Sequence, residues 1–89
     1  MITGVKAGDY GTRIFLDCED DLSTATDQII QAFRPDGLSV SWSAAIDGTG
    51  VAYTTQAGDI DQRGDWRLRV QVTFPSGRWY GDWETLRVE

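Results

Sequence analysis

Trp66-Arg67-Leu68-Arg69-Val70-Gln71-Val72-Thr73-Phe74 is the stretch on which the fold turns. Every even position is apolar and every odd one polar, a period of two that marks a strand with one buried and one wet face. Working outward, Leu38, Val40, Trp42, Ala44 and Ile46 alternate in the same way with Ser39, Ser41, Ser43 and Ala45. Asp47-Gly48-Thr49-Gly50 then turns the chain into Val51-Ala52-Tyr53-Thr54-Thr55, a hairpin partner. Ile14, Leu16 and Cys18 mark an earlier strand. Residues 79–88 form a last one, kinked near Gly81, with Leu86 and Val88 pointing inward. Turns punctuate the rest at Gly8-Asp9-Tyr10-Gly11, Pro35-Asp36-Gly37, Gly58-Asp59 and Pro75-Ser76-Gly77, where glycine tolerates positive φ and proline presets it.

One segment reads two ways. Leu22, Ala25, Ile29, Ile30 and Phe33 recur at helical spacing, with Asp21 or Ser23 as N-cap. As a strand, residues 26–34 place Ile30 with Ala32 on one face and Ile29 with Phe33 on the other. Periodicity leans to the helix, but a helix here would leave the sheet short of partners. The strand is the expectation. About seven strands in a single domain over residues 1–89 then predict an antiparallel two-sheet sandwich of immunoglobulin-like size.

Composition narrows the function. With 89 residues there is room for one core, and 40% apolar content is enough to form it. The lone Cys18 has no partner for a disulfide, and there is no histidine, which removes the common zinc sets and the Ser/His and Cys/His nucleophile systems. A net charge of −6 opposes binding to nucleic-acid phosphates. The longest apolar runs are three residues, whereas a membrane span needs ~20. No apolar segment follows Met1-Ile2-Thr3-Gly4, so synthesis in a reducing cytoplasm without signal-peptide export is expected. A non-enzymatic protein without cofactor or metal is the resulting expectation.

Five turn motifs, in order, resemble one family. Ala7-Gly8-Asp9-Tyr10-Gly11-Thr12 looks like an opening G-D-x-G-T, and Asp21-Leu22-Ser23-Thr24-Ala25-Thr26 resembles a D-L-S-x-A-T turn. Phe33-Arg34-Pro35-Asp36-Gly37, with one residue between Phe33 and Pro35, looks like an F-x-x-P-D-G hairpin. Tyr53 followed by Gly58-Asp59-Ile60-Asp61-Gln62-Arg63-Gly64-Asp65-Trp66 resembles Y…G-D-[IL]-D-x-x-G-x-W, and Phe74-Pro75-Ser76-Gly77 the last hairpin. Together they resemble the immunoglobulin-like N-terminal domain of tailed-phage baseplate upper proteins and their stand-alone relatives. The resemblance implies an all-β fold, which makes the ambiguous segment a strand. It also implies a virion structural protein of tail or baseplate, made in the host cytoplasm, present in many copies and docked on other virion proteins. The family continues into further domains beyond the point matching Glu89, so no receptor-binding or fibre-docking region is carried over. The aromatic Trp79-Tyr80-Gly81-Asp82-Trp83 also departs from the Ser/Thr-rich ends of relatives. Capsid decoration or head–tail joining is the alternative position.

The residues expected to dock a partner are Trp79, Tyr80, Trp83, Arg67, Arg69 and Tyr10. Trp42 and Trp66 fall on inward positions and belong to the core, but Trp79, Tyr80 and Trp83 cannot all point inward along one strand. Exposed Trp and Tyr beside Arg are typical interface anchors. Residues 1–61 carry ten acids and three bases, residues 62–89 four acids and five bases, so the aromatic end is the near-neutral one. That polarity suits ion pairs between strands, and also association between copies. Asp9 and Asp59 read as turn caps rather than paired catalytic carboxylates. Asp17-Cys18-Glu19-Asp20-Asp21 reads as a solvated strand end, with a Ca²⁺ site or a dock for a basic surface as sharper alternatives. A carbohydrate-binding module, stacking sugars on the same aromatics, is the rival function.

Overall fold

The computed structural model describes residues 1–89 and contains no helix. Nine strands follow in order: β1 (Ile2–Val5), β2 (Arg13–Asp17), β3 (Asp27–Phe33), β4 (Ser39–Ser43), β5 (Ala45–Asp47), β6 (Gly50–Thr54), β7 (Gly64–Phe74), β8 (Gly77–Tyr80) and β9 (Glu84–Val88). They form an immunoglobulin-like sandwich of two unequal sheets. The larger has the order β1-β9-β7-β3-β4, with β8 also on β7; the smaller is β2-β6-β5.

The alternation in β7 organises everything else. Trp66, Leu68, Val70 and Val72 are all buried, and the intervening side chains cover the outer face. One edge of β7 pairs with β3 over seven residues, from Asp27 opposite Thr73 to Phe33 opposite Arg67. The other edge is shared end to end: β9 takes Gly64 to Leu68, and β8 takes Gln71 to Phe74. Between them the Gly81 N–H bonds to the Val70 carbonyl at 2.9 Å. A Cβ on Gly81 would lie 2.6 Å from Val70 Cγ1, so only glycine lets the chain pass there. The single kinked strand expected over residues 79–88 is therefore two strands, with Leu86 and Val88 buried as expected.

The segment that read two ways is β3. Ile30 and Ala32 are fully buried, and Ile29 and Phe33 lie on the other face, half-buried. The helical spacing of Leu22 and Ala25 is coincidental, because both precede the strand, and Leu22 plugs the core from a turn closed by the Ala25 N–H on its carbonyl.

Three expectations need correction. The count is nine strands rather than seven, because the strand expected over residues 79–88 is two and the alternating run from Leu38 to Ile46 is two short strands in different sheets. The chain leaves the large sheet at Ala44, whose backbone N–H reaches the Gln28 carbonyl at 3.3 Å and whose carbonyl accepts from Gln28 Nε2 at 2.8 Å. Leu38 and Ile46, expected inside, are 61% and 41% exposed. Leu38 belongs to the β3–β4 hairpin loop, and Ile46 shares a face with buried Val51 opposite it but lies on β5, the edge strand of the small sheet. Third, β1 adds parallel to β9 through Ile2 opposite Leu86 and Val5 opposite Val88, so the large sheet is mixed. Its irregular register contains Gly4, at φ +81°.

Trp66 fills the centre of the core at 0% exposure, its indole N–H donating to the Gln62 carbonyl at 3.0 Å. Trp42 stacks between Trp66 and Tyr53, at 6.2 and 5.1 Å between ring centroids. Asp9 and Asp59 close turns as expected, though each closes the turn before it. Lys6 N–H donates to Asp9, and Gln56 N–H to Asp59, in two matching Ala-Gly-Asp turns with glycine φ of +93° and +88°. The Gly8 N–H bonds to the Ile60 carbonyl at 2.6 Å, which lays one turn against the segment following the other.

The Tyr53 hydroxyl also donates to Asp59. Burial, reinforced by the hydrogen bond to Asp59 and by its charge, pushes this phenol up to about 12. The folded state thus holds the Tyr53 proton more tightly than the unfolded chain, whose phenol titrates near 10. The linked stability is complete below pH 10 and is lost as pH rises through 12. Spectrophotometric titration is expected to show one tyrosine ionising late, together with alkaline unfolding. Tyr53→Phe removes that late phase; an unchanged titration curve would contradict the assignment.

Candidate docking surface

The odd positions of β7 and β3 face outward together. Arg67 lies opposite Phe33 and Arg69 opposite Gln31 in the antiparallel register. On the other side of β7, Tyr80 stands opposite Gln71, and Thr85 opposite Arg67. The short β8–β9 connection therefore crosses the same face at the level of the two arginines, which is where Trp83 sits.

The result is one aromatic and cationic patch. The Arg69 guanidinium lies 4.5 Å from the ring centroids of both Tyr80 and Trp83, and Arg67 lies 4.7 Å from Trp83. Arg69 Nε and Nη2 both donate to Gln31 Oε1, at 3.1 and 2.8 Å, which fixes the fork between the rings. Phe33 meets Trp83 edge-on at 5.2 Å and 72°. Each cation–π contact contributes about 0.5–1 kcal/mol at an exposed site. Such contacts place the guanidinium donors beside flat apolar rings, with Tyr80 and Trp83 still 44% and 40% exposed.

Three of the other six basic side chains differ, while Lys6, Arg63 and Arg78 also make no ion pair. Arg13, Arg34 and Arg87 pair with Asp47, Asp61 and Asp65, respectively. Arg67 and Arg69 carry no carboxylate partner, so their charge remains available to one arriving from outside. Surface ion pairs thus account for part of the charge polarity and leave this patch out.

Of the six residues expected to dock a partner, four converge here: Arg67, Arg69, Tyr80 and Trp83. Trp79 does not join them. It pairs with Val72 and so takes the inner side of the sheet, where it remains 38% exposed because the three-stranded sheet does not cover it. Tyr10 is 71% exposed on the β1–β2 loop, next to the Gly8–Ile60 and Gly11–Thr55 bonds at one end of the sandwich. No hydrogen bond or ring contact connects it with the patch. Phe33 and Gln31 belong to the patch and were missed from sequence; their signal is the odd-position alternation of β3 once it is registered against β7.

Trp79 instead lines a cleft of about 520 Å³ on the open side of the sandwich. Phe15, Leu16, Asp17, Cys18 and Glu19 form one wall, and Val70, Trp79, Gly81, Asp82, Trp83 and Glu84 the other. Four lining residues are acidic and none is basic. Asp17 accepts the Glu19 N–H and the Thr49 hydroxyl, both at 2.9 Å, and these bonds hold its carboxyl below the usual range. Glu84 meets the N-terminal amine at 2.6 Å. Burial, with the charges of Asp17 and Asp20, pushes the Cys18 thiol up and so disfavours its nucleophilic thiolate form.

The Ca²⁺ alternative finds no ligand set in residues 17–21. No three carboxylates or thiols anywhere in the chain converge as metal ligands. Within the run, Asp17, Asp20 and Asp21 accept backbone N–H groups of Glu19, Asp21 and Ser23, which are the bonds of a self-capped loop. No helix is long and apolar enough to cross a membrane. No family model, curated protein or solved structure matches the chain.

Proposed function

We propose that the chain is a non-enzymatic bacteriophage virion protein, a small docking module of the tail or baseplate that holds a neighbouring virion protein through the Arg67–Arg69–Tyr80–Trp83 patch. The observation that carries the docking half is the arrangement of the patch itself. Residues from β7, β8 and the β8–β9 connection assemble two unpaired guanidinium groups against two exposed rings. Aromatics and Arg are the residue types enriched at interface hot spots. The virion half rests on the five turn motifs that resemble the baseplate family. Within that reading, the sandwich is a rigid spacer, the rings supply apolar contact, and the arginines set orientation against an acidic partner face.

The test has two levels. Quantitative mass spectrometry of purified particles finds the protein, with six copies or a small multiple of six for a tail ring and hundreds for a capsid decoration protein. Absence from the particles overturns the virion reading. Trp83→Ala and Arg69→Ala then weaken binding to the particle about thirtyfold each, the size of a ~2 kcal/mol hot spot. Tyr10→Ala, away from the patch, serves as the comparison. Equal incorporation of all three variants would remove the patch from the interface.

A further inference from the structure

We infer that the open side of the sandwich is a strand-addition site for an extended basic segment of a partner protein, separate from the outer patch. The large sheet is broader than the small one, so Trp79 on its inner face lies partly uncovered between two sheet edges. On one side is β2, the outermost strand of the small sheet. Its hydrogen bonds to β6 alternate. Thr12 and Cys18 bond across to Thr55 and Thr49, so the intervening even residues point their N–H and C=O groups at β6 as well. Arg13, Phe15 and Asp17 therefore present theirs to the open side. On the other side is β8. Gly81 N–H bonds to Val70, which by the same alternation turns the backbone groups of Arg78 and Tyr80 away from β7.

A strand laid along β2 would take up these backbone groups and cover the gap. Alternate side chains of such a strand would point down onto Trp79, and the rest out toward the rim. Down-facing positions favour apolar residues. The rim decides the charge, since Asp17, Glu19, Asp82 and Glu84 line the cleft without a base among them. Asp82 and Glu19 line the cleft as exposed carboxylates that make no ion pair or hydrogen bond within the chain. Lys or Arg at the outward positions complements this rim; Asp or Glu is repelled by it. The occupant is thus an extended segment alternating apolar and basic residues.

The test uses the full chain and an acetylated, amidated Val-Lys-Val-Lys-Val-Lys-Val peptide, with the Val/Glu counterpart and a backbone N-methylated Val/Lys version as controls. The Val/Lys peptide binds at least tenfold more tightly than either control, and less tightly as salt is raised. Amide chemical-shift changes centre on Phe15 and Asp17. Glu19→Lys combined with Asp82→Lys, both exposed and outside the core, reduces binding at least tenfold, whereas Tyr10→Ala, at the far loop and touching neither the cleft nor the patch, leaves it unchanged. Equal binding of the Val/Glu peptide overturns the charge assignment, and equal binding of the N-methylated peptide overturns strand addition. Oligosaccharides that shift the same amides while the peptides do not would make the cleft a sugar site. Concentration-dependent dimerisation abolished by the two charge reversals would make the occupant a second copy of the chain. Either result overturns the proposal.

Discussion

Trp66→Ala is expected to leave the chain largely unfolded at room temperature. The indole is at 0% exposure, contacts the Trp42 stack and satisfies its N–H on the Gln62 carbonyl. Truncation removes that packing and opens a cavity that the rigid strands on either side cannot close. Losses of this kind run to about 3–5 kcal/mol. A small domain without disulfide or metal has a total stability of that order or a little above it. Circular dichroism and tryptophan fluorescence against denaturant measure the effect. Trp42→Ala, at 5% exposure and without a hydrogen bond from its indole, should cost less. A Trp66→Ala protein as stable as the parent would mean that the core is not centred there.

Gly50→Ala is the second large effect. A Cβ at Gly50 would lie 2.5 Å from the Leu16 carbonyl oxygen and 2.6 Å from the Phe15 ring. The ring can rotate away; the carbonyl belongs to a strand paired with β6 and cannot. Relief therefore means parting β2 from β6, at a cost of about 1–3 kcal/mol. The change also displaces Phe15, which forms part of the cleft wall. Thermal unfolding reports the first consequence, and amide exchange at Leu16 and Val51 locates it. Gly48→Ala, where nothing lies within 4 Å but φ is +62°, separates steric crowding from backbone strain. A Gly50→Ala protein melting with the parent would exclude the crowding.

How much could be read beforehand follows from where each signal lives. The β7 alternation is local, so the strand, its buried face and the outward Arg67 and Arg69 were legible. So were the Val51–Thr55 hairpin partner, the inward Trp42 and Trp66, and the buried Leu86 and Val88. The sheet switch at Ala44 was not legible, since the alternation continues through it and only the Gln28 side chain marks the change. Trp79 and Tyr80 are neighbours on one strand, and a period of two necessarily sends them to opposite faces; residue type grouped them where geometry separates them. Phe33 and Gln31 required the register of β3 on β7. The cleft needed more still, because its walls are residues 15–19 on one side and Val70, Trp79 and residues 81–84 on the other, brought together only by the mismatch in width between the sheets.

The pairing of β1 with β9 imposes an order on synthesis. Ile2 and Val5 leave the ribosome long before their partners, Leu86 and Val88. Nearly the whole chain must emerge before the N-terminal strand can find its place, and β7 keeps the Gly64–Leu68 part of its edge bare until the same moment. Pairing over so long a separation pays its loop-closure entropy before any contact returns it, which slows folding and prolongs exposure of unpaired edges. The hairpins β3–β4, β5–β6 and β7–β8 can close as they appear. The seam between the first strand and the last is where a nascent copy stays open to another nascent copy.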